Sequence, residues 1–329
     1  GFVPRDYWEV VATFGAQSGE YPGRWFDERF KKPEGKDVDA ELRAERLWDK
    51  VKAEAVRAKC LGRPGVVTED SKPSTQLSPL LFDLTSLQRE GNSSFGFSAK
   101  STLAVAQSLY ERHKVITYPR TDSRHLPEDY PATVLSTLEE LRTLSAYGAF
   151  AGRILGQSWV QAGNRRIFNN AKVSDHFAII PTTQMPKGLS EPEQRIYDTI
   201  TRRFLAVFYP AAEYLETTRI TRVEGEPFKT SGKVLVQPGW LEVYGRESQL
   251  EGDTPNLPPV AANEQVATRD IEVKSLQTKP PPRFTEATLL SAMEGAGKLV
   301  DDDELREAMA EKGLGTPATR AATIEGLIG

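Results

Sequence analysis

The feature that most constrains this chain is a change of hydrophobic period that later reverses itself. Residues 2–14, FVPRDYWEVVATF, place Trp8, Val10, Ala12 and Phe14 at the spacing of two that a half-buried strand requires. GRWFDERF (23–30) is expected to pair with that strand after a Gly/Pro turn at Tyr21–Gly23. The period then shifts to that of a helix in 37–56, with Leu42, Leu47, Trp48, Val51 and Ala55 on one face. A polar, Pro- and Ser-containing stretch at 68–79 reads as a domain crossing, and 80–210 is mostly helical. Between 211 and 277 the alternation returns in YLETTRITRVEG, FKTSGKVLVQPGWLEVYG and QVATRDIEVKSL.

Strands on both sides of a helical block are most simply one discontinuous β-rich domain, 1–68 with 209–278, carrying an inserted helical domain at 69–208. Insertion at exposed loops is well tolerated because domain ends tend to lie close together. From Lys279 helices resume, and 279–329 reads as part of a further helical domain. The expected class is α+β and multidomain, consistent with 329 residues, which exceed what one ordinary core organises.

Local signals place several helix ends. Ser98 is a plausible cap for AKSTLAVAQSLYERHK, in which Leu103, Ala106 and Tyr110 are expected to share a face. Ser190, Pro192 and Glu193 form a capping-box start to a helix whose stripe is Ile196, Ile200, Phe204, Val207 and Phe208, with Pro210 stopping it. Thr316 and Pro317 open a last helix.

Charge narrows the partner classes only when it is read regionally. The net charge of −4 argues against a general polyanion binder, yet Lys100, Arg112, Lys114, Arg120 and Arg124 outnumber Glu111 and Asp122 between Phe95 and Leu126. The single cysteine, Cys60, excludes an internal disulfide framework and a multi-cysteine zinc site, which fits a reducing compartment. No apolar run approaches 18 residues and no signal-like leader is present, so neither a membrane span nor secretion is expected.

Chemistry concentrates in VITYPRTDSRHLPEDY (115–130). A phenol with a pKa near 10 attacks poorly at neutral pH unless its anion is stabilised or a base removes the proton. Arg120 can stabilise a phenolate and grip a phosphate oxygen, and Pro119 biases Tyr118 toward extended backbone. From Tyr-Pro-Arg alone, a packed tyrosine beside a surface Arg–Asp pair stands as the other reading.

The longer string TYPRTDSR resembles the nucleophile motif of type IA DNA topoisomerases, and the proline after the tyrosine resembles the topoisomerase III branch of bacterial members. PLLFDLTSLQREGNSSFGFSAKSTLAVAQSLYE (79–111), SDHFAIIPT (174–182), FTEATLLSAMEGAGK (284–298), GLGTPATRAATIEGLI (313–328) and the opening FVPRDYWEV are similar to further segments of that family. The resemblance implies a β-rich arch carrying a winged-helix-like tyrosine domain. It also implies ATP-independent cleavage of one DNA strand through a 5′-phosphotyrosyl intermediate, strand passage and religation.

By that resemblance Tyr118, Arg120 and His176 are catalytic, and Ser98, Lys100, Arg124, Thr316, Thr319 and Arg320 contact single-stranded DNA. The alternatives are a simple cap at Ser98 and Thr316, a solvated charge at Arg320 and a structural His176. Asp175 departs from the small or apolar residue expected before the histidine. His125 is expected at the surface, His113 as a helix-end cation, and Arg202 and Arg203 on the wet face of their helix. Trp8, Trp25, Trp48 and Trp240 are expected to pack.

In this family Mg²⁺ is held by a TOPRIM domain, and no such segment is found here. The Asp301–Glu304 run looks like a helix start, not a metal set. With a glycine as first residue, the chain is expected to be a central fragment, catalytically incomplete alone. It is further expected to be monomeric, cytoplasmic and nucleoid-associated, with the absent TOPRIM domain as its partner. The rival readings are a non-catalytic single-strand-binding module and a structural arch.

Overall fold

The computed structural model describes residues 1–245, 257–296 and 313–328. The acidic run at 301–304 and the helix expected after it lie outside the described residues. The chain divides into two compact units. One comprises Gly1–Gln76, Glu213–Pro238 and residues 257–282, and the other Leu77–Ala212, Gly239–Gly245 and residues 283–296 with 313–328.

The first unit is a closed six-stranded barrel. Its strands are β1 (Asp6–Ala16), β2 (Gly19–Trp25), β3 (Pro64–Gln76), β4 (Ala212–Val223), β5 (Glu226–Gln237) and β6 (Gln265–Gln277), in the spatial order β1-β2-β5-β4-β3-β6. Val10, Ala12 and Phe14 of β1 are fully buried, as the period of two requires. They meet Tyr21, Val67, Val223, Phe228, Val266 and Ile271 from other strands. Closure leaves no open sheet edge around this core.

Three local expectations are corrected here. The first hairpin turns at Gln17–Ser18, between Ala16 and Gly19, and not at Tyr21–Gly23. Tyr21 instead lies opposite Phe14, its ring buried and its hydroxyl 2.8 Å from Thr221 Oγ1, so core burial outweighs the turn preference of Pro-Gly. Gly23 is needed within the strand, because a Cβ there would come within 2.7 Å of the Phe14 ring.

The helix expected at 37–56 starts later, as α1, Lys50–Cys60, where Asp49 caps it by accepting from the Val51 N–H. The segment before it folds in turns, with Leu47 bridged to Trp8. With that later start the inward face becomes Ala53, Val56 and Cys60, leaving Val51 74% exposed. Burial pushes the Cys60 thiol up to about 11, so it is an inert packing group. The expected loop from Thr68 onward is strand β3 as far as Gln76, its outer half polar on both faces.

The second unit is helical: α2 (Leu84–Phe95), α3 (Ala99–Glu111), α4 (Pro131–Leu141), α5 (Gly148–Gly156), α6 (Glu191–Phe208), α7 (Glu286–Glu294) and α8 (Pro317–Ile328). Alpha-helix α6 has its expected capping box and buried stripe, and ends before Pro210. The sequence after β5 forms a 3₁₀ turn, Gly239–Tyr244, instead of continuing as strand. Gly239 has φ 54° and lies against the Pro210 and Ala211 carbonyls, 2.4 Å from where a Cβ would sit, and the Trp240 N–H donates to Pro210 O at 3.0 Å. No helix among the described residues is long and apolar enough to cross a membrane.

Two more corrections concern charge. Arg202 pairs with Asp198 at 3.0 Å and donates to Val243 O at 2.6 Å. Arg203 donates to Leu80 O at 2.8 Å and lies 3.9 Å over the Phe82 ring, so both are half-buried braces and not a wet face. His113 also turns inward, its Nε2 lying 2.9 Å from the carboxylate of Glu193.

Glu193 is itself buried. Burial raises its pKa, but the Ser190 N–H, the Ser108 hydroxyl and the charge of His113 together outweigh that and hold it at about 2. A carboxyl depressed in the folded state contributes stability above its unfolded pKa, near 4.5, and loses it as pH falls toward 2. Urea unfolding between pH 6 and pH 3 is therefore expected to show an acid-side loss that Glu193→Gln abolishes, with a ceiling of about 3 kcal/mol. An unchanged acid slope in the variant would refute the assignment.

Candidate active site

Chain segments distant in sequence are brought together around Tyr118 by a few backbone bonds. Val115 and Ile116 are fully buried, and Ile116 bridges antiparallel to Pro181. The Thr117 N–H donates to Ile180 O at 2.9 Å, and the Thr182 N–H to Val115 O at 2.9 Å. The Thr117 hydroxyl donates to Ala178 O at 2.8 Å and accepts from the Ile180 N–H at 3.0 Å. Next along, the Ile179 N–H donates to Phe82 O at 2.8 Å and the Leu84 N–H to Thr121 O at 3.0 Å. The tyrosine motif is thus an extended segment pinned between the histidine motif and the entry to α2.

This pairing sets the Tyr118 ring 4.3 Å from the ring of His176, tilted by 36°. On the other side Tyr110, at the end of α3, meets it edge to face at 5.3 Å. Pro119 is buried, whereas Arg120 and His176 are exposed. Arg120 donates through Nε to Gln107 Oε1 at 3.3 Å. Arg120 and His176 line a cleft of about 370 Å³ whose opposite wall includes Glu294, Thr316 and Arg320.

The DNA-contact candidates fall into three environments. Thr316 and Thr319 face the cleft-side start of α8, the Thr316 N–H donating to Thr319 Oγ1 at 3.0 Å and the hydroxyls lying 2.9 Å apart. Arg320 is 3% exposed, far from a solvated charge. It donates to Thr85 Oγ1 at 2.8 Å and to the carbonyls of Leu314 and Gly315 at 3.0 and 3.3 Å. Its burial lowers its pKa, against which the charges of Glu294 and Asp83 act.

Arg124 is held by two carboxylates, Asp83 at 3.2 Å and Glu294 at 2.9 Å. Glu294 also pairs with Arg89 at 3.1 Å, making a four-member network across α2 and α7. Ser98 caps α3, accepting from the Ser101 N–H at 2.9 Å, and Lys100 is exposed one residue into the helix. The first N–H of α3, that of Ala99, is not open: it donates to the carboxylate of Glu286, the first residue of α7. A phosphate approaching that helix end meets a carboxylate already in place.

His125 differs from its expected surface position. It is half-buried, and burial together with Lys172, Arg166 and Arg124 lowers its pKa. Sequence reasoning missed Tyr110 and Gln107 as neighbours of the motif. The shared face expected for Leu103, Ala106 and Tyr110 is instead Ala99, Thr102, Ala106 and Leu109, which leaves Tyr110 at the surface beside Tyr118. The helical spacing from Gln107 to Tyr110 was the available signal.

The carboxylates near the tyrosine do not form a metal set. Asp83 caps α2 and pairs with Arg124, and Glu294 joins two arginines. No group of three or more His, Cys, Asp or Glu side chains suited to a metal ion occurs among the described residues.

Comparison with known proteins identifies the family of the chain. A family model described as DNA topoisomerase matches residues 1–329, and the chain belongs to that family, in its type IA class. DNA topoisomerase 3 of Bacillus licheniformis is 43% identical over 275 residues, covering 81% of this chain and 37% of that protein. DNA topoisomerase 3 of Bacillus subtilis is 42% identical over 276 residues, covering 81% and 38%. The chain therefore spans less than two-fifths of the length of these relatives.

Among solved structures, full-length topoisomerase I from Thermotoga maritima matches with a TM-score of 0.65 at 24% identity, covering 99% of this chain and 47% of that one. That likeness bears on the fold: mixed helices and sheet.

Proposed function

We propose that this chain supplies the nucleophile-bearing part of a bacterial type IA topoisomerase of the topoisomerase III kind. Tyr118 gives up its phenolic proton, to His176 or to water, as its oxygen bonds to a backbone phosphorus of one DNA strand. The P–O3′ bond breaks, its electron pair leaves on O3′ and takes up a proton, and the strand remains attached through a 5′-phosphotyrosyl bond. Religation reverses the exchange after the other strand has passed. One phosphodiester replaces another, so no ATP is consumed. Arg120 neutralises the phosphorane-like charge, and His176 handles a proton or contacts a phosphate oxygen.

The observation that carries this reading is the Tyr118 ring packed at 4.3 Å against His176, which lines the same cleft as Arg120. Single-stranded DNA is the proposed partner, lying along the cleft toward Thr316, Thr319 and Arg320, with Ser98, Lys100 and Arg124 at its margin. The functional division we assign is a hinge or arch region at 1–68 and 209–278, a winged-helix-like tyrosine domain at 69–208 and a strand-holding region at 279–329. We assign Mg²⁺ chemistry to a TOPRIM domain of the parent enzyme, as the family resemblance implies. We assign the chain a monomeric, cytoplasmic and nucleoid-associated setting, and no cleavage activity in isolation.

A second reading, strand holding without chemistry, is favoured by one observation: the other wall of the same cleft is a helix start with a buried arginine beneath it. A denaturant-quenched cleavage trap on the full-length gene product separates the two. Tyr118→Phe is expected to remove all covalent DNA–protein adduct while leaving salt-sensitive binding of an oligonucleotide intact. Adduct that persists in the variant eliminates the nucleophile assignment.

A further inference from the structure

We infer that Gln107 is a positioning residue that aims Arg120 while leaving its charge uncompensated; this rests on Tyr118 being the nucleophile. Two side chains one turn apart on α3, Gln107 and Tyr110, touch two residues two apart on the extended motif, Arg120 and Tyr118. Helix positions three apart lie on one face, so Gln107 and Tyr110 reach the motif together, Tyr110 meeting Tyr118 and Gln107 meeting Arg120 across the bend at Pro119–Arg120. Alpha-helix α3 thereby acts as a fixed edge along which nucleophile and guanidinium are both aligned.

The chemistry of the contact matters as much as its place. Arg124, Arg89 and Arg202 are each paired with carboxylates. Arg120 makes no ion pair among the described residues; its partner is a neutral amide oxygen. That bond engages Nε and leaves the two terminal nitrogens, the fork that matches two phosphate oxygens. The amide is itself oriented, because Gln107 Nε2 donates to Glu111 Oε1 at 2.8 Å, which turns its oxygen toward Arg120. Glu111 thus fixes the amide without touching the guanidinium.

A scaffold role and a charge-preserving role predict opposite effects for Gln107→Glu. The glutamate is close to isosteric and keeps the acceptor toward Arg120; it is made in a Glu111→Gln background, where the new amide donates to the carboxylate in place of the lost Nε2 bond, so a scaffold role leaves activity intact. If preserving the charge matters, it neutralises Arg120 and slows chemistry. The test is single-turnover adduct formation by the full-length gene product on a saturating single-stranded oligonucleotide, with the binding constant and melting temperature measured alongside.

Gln107→Glu is expected to slow adduct formation about tenfold at an unchanged melting temperature, and Gln107→Ala about threefold. A Gln107→Glu rate within twofold of wild type overturns the inference. So does an alanine defect equal to or larger than the glutamate one. Should Gln107→Glu fail to fold, Glu111→Ala, which removes the acceptor that orients the amide, decides: about a threefold loss is expected, and a wild-type rate overturns the inference. Tyr118→Phe in the same series separates the two levels: adduct surviving in it defeats the nucleophile reading itself, whatever Gln107 does.

Discussion

Arg120→Ala in the full-length gene product is expected to slow covalent adduct formation by about 10²–10³-fold, the usual cost of removing one donor aimed at developing charge. The expectation follows from placement. Arg120 is exposed at the cleft, two residues beyond Tyr118, and its one described polar contact uses only Nε. Its contribution should appear mainly in the transition state, so the rate constant at saturating DNA should fall more than the affinity does.

Arg120→Lys should recover only part of the loss, because an ammonium restores charge but not the two-pronged geometry. Rapid-quench measurement of adduct on a labelled oligonucleotide, at several DNA concentrations, checks both statements. A defect confined to affinity would reassign Arg120 to strand binding.

Arg124→Ala is expected to be the most destabilising change in the helical unit, lowering unfolding free energy by about 3 kcal/mol. Asp83 is 4% exposed and Glu294 is shared between Arg89 and Arg124. Removing the guanidinium leaves a buried carboxylate at the start of α2 without its cation. The helix start and the Ser86 N–H still stabilise Asp83, which places the loss toward the low end for broken buried pairs.

The companion variant sharpens the expectation. Asp83→Asn retains a capping side chain and removes the buried charge, so the double variant should lose less than the sum of the two single losses. Urea unfolding of the four proteins gives the coupling directly. Strict additivity would show that Arg124 and Asp83 do not interact energetically.

Much of this architecture is legible in the residues, and the places where it is not are instructive. The stripe Ile196–Phe208 and the caps Ser98 and Ser190 depend on local spacing, and spacing survives folding. Tyr21 and Pro22 suggested a turn because Pro-Gly prefers one, but the decision lay with Phe14 and Thr221, partners that no local window contains. Leu42 to Ala55 suggested a helix face, yet Leu47 is drawn off to bridge Trp8, so the helix waits for Asp49.

The candidate site divides in the same way. Tyr118 and Arg120 stood out by the chemistry of Tyr-Pro-Arg, and His176 by the resemblance of SDHFAIIPT to the family's histidine motif. Arg320 lies under α8 and not in water, a fact fixed by Thr85 more than two hundred residues earlier. Glu286 at the α3 start and Gln107 beside Arg120 were invisible for the same reason: each acts through a partner, and partners are assigned only by folding.

The bridging hydroxyl of Thr117 has a mechanical consequence. By donating to Ala178 and accepting from Ile180, it ties the strand bearing the tyrosine to the strand bearing the histidine at two points from one side chain. Any displacement of this segment therefore carries Tyr118 and His176 together, because one side chain holds the two stretches at adjacent bonds.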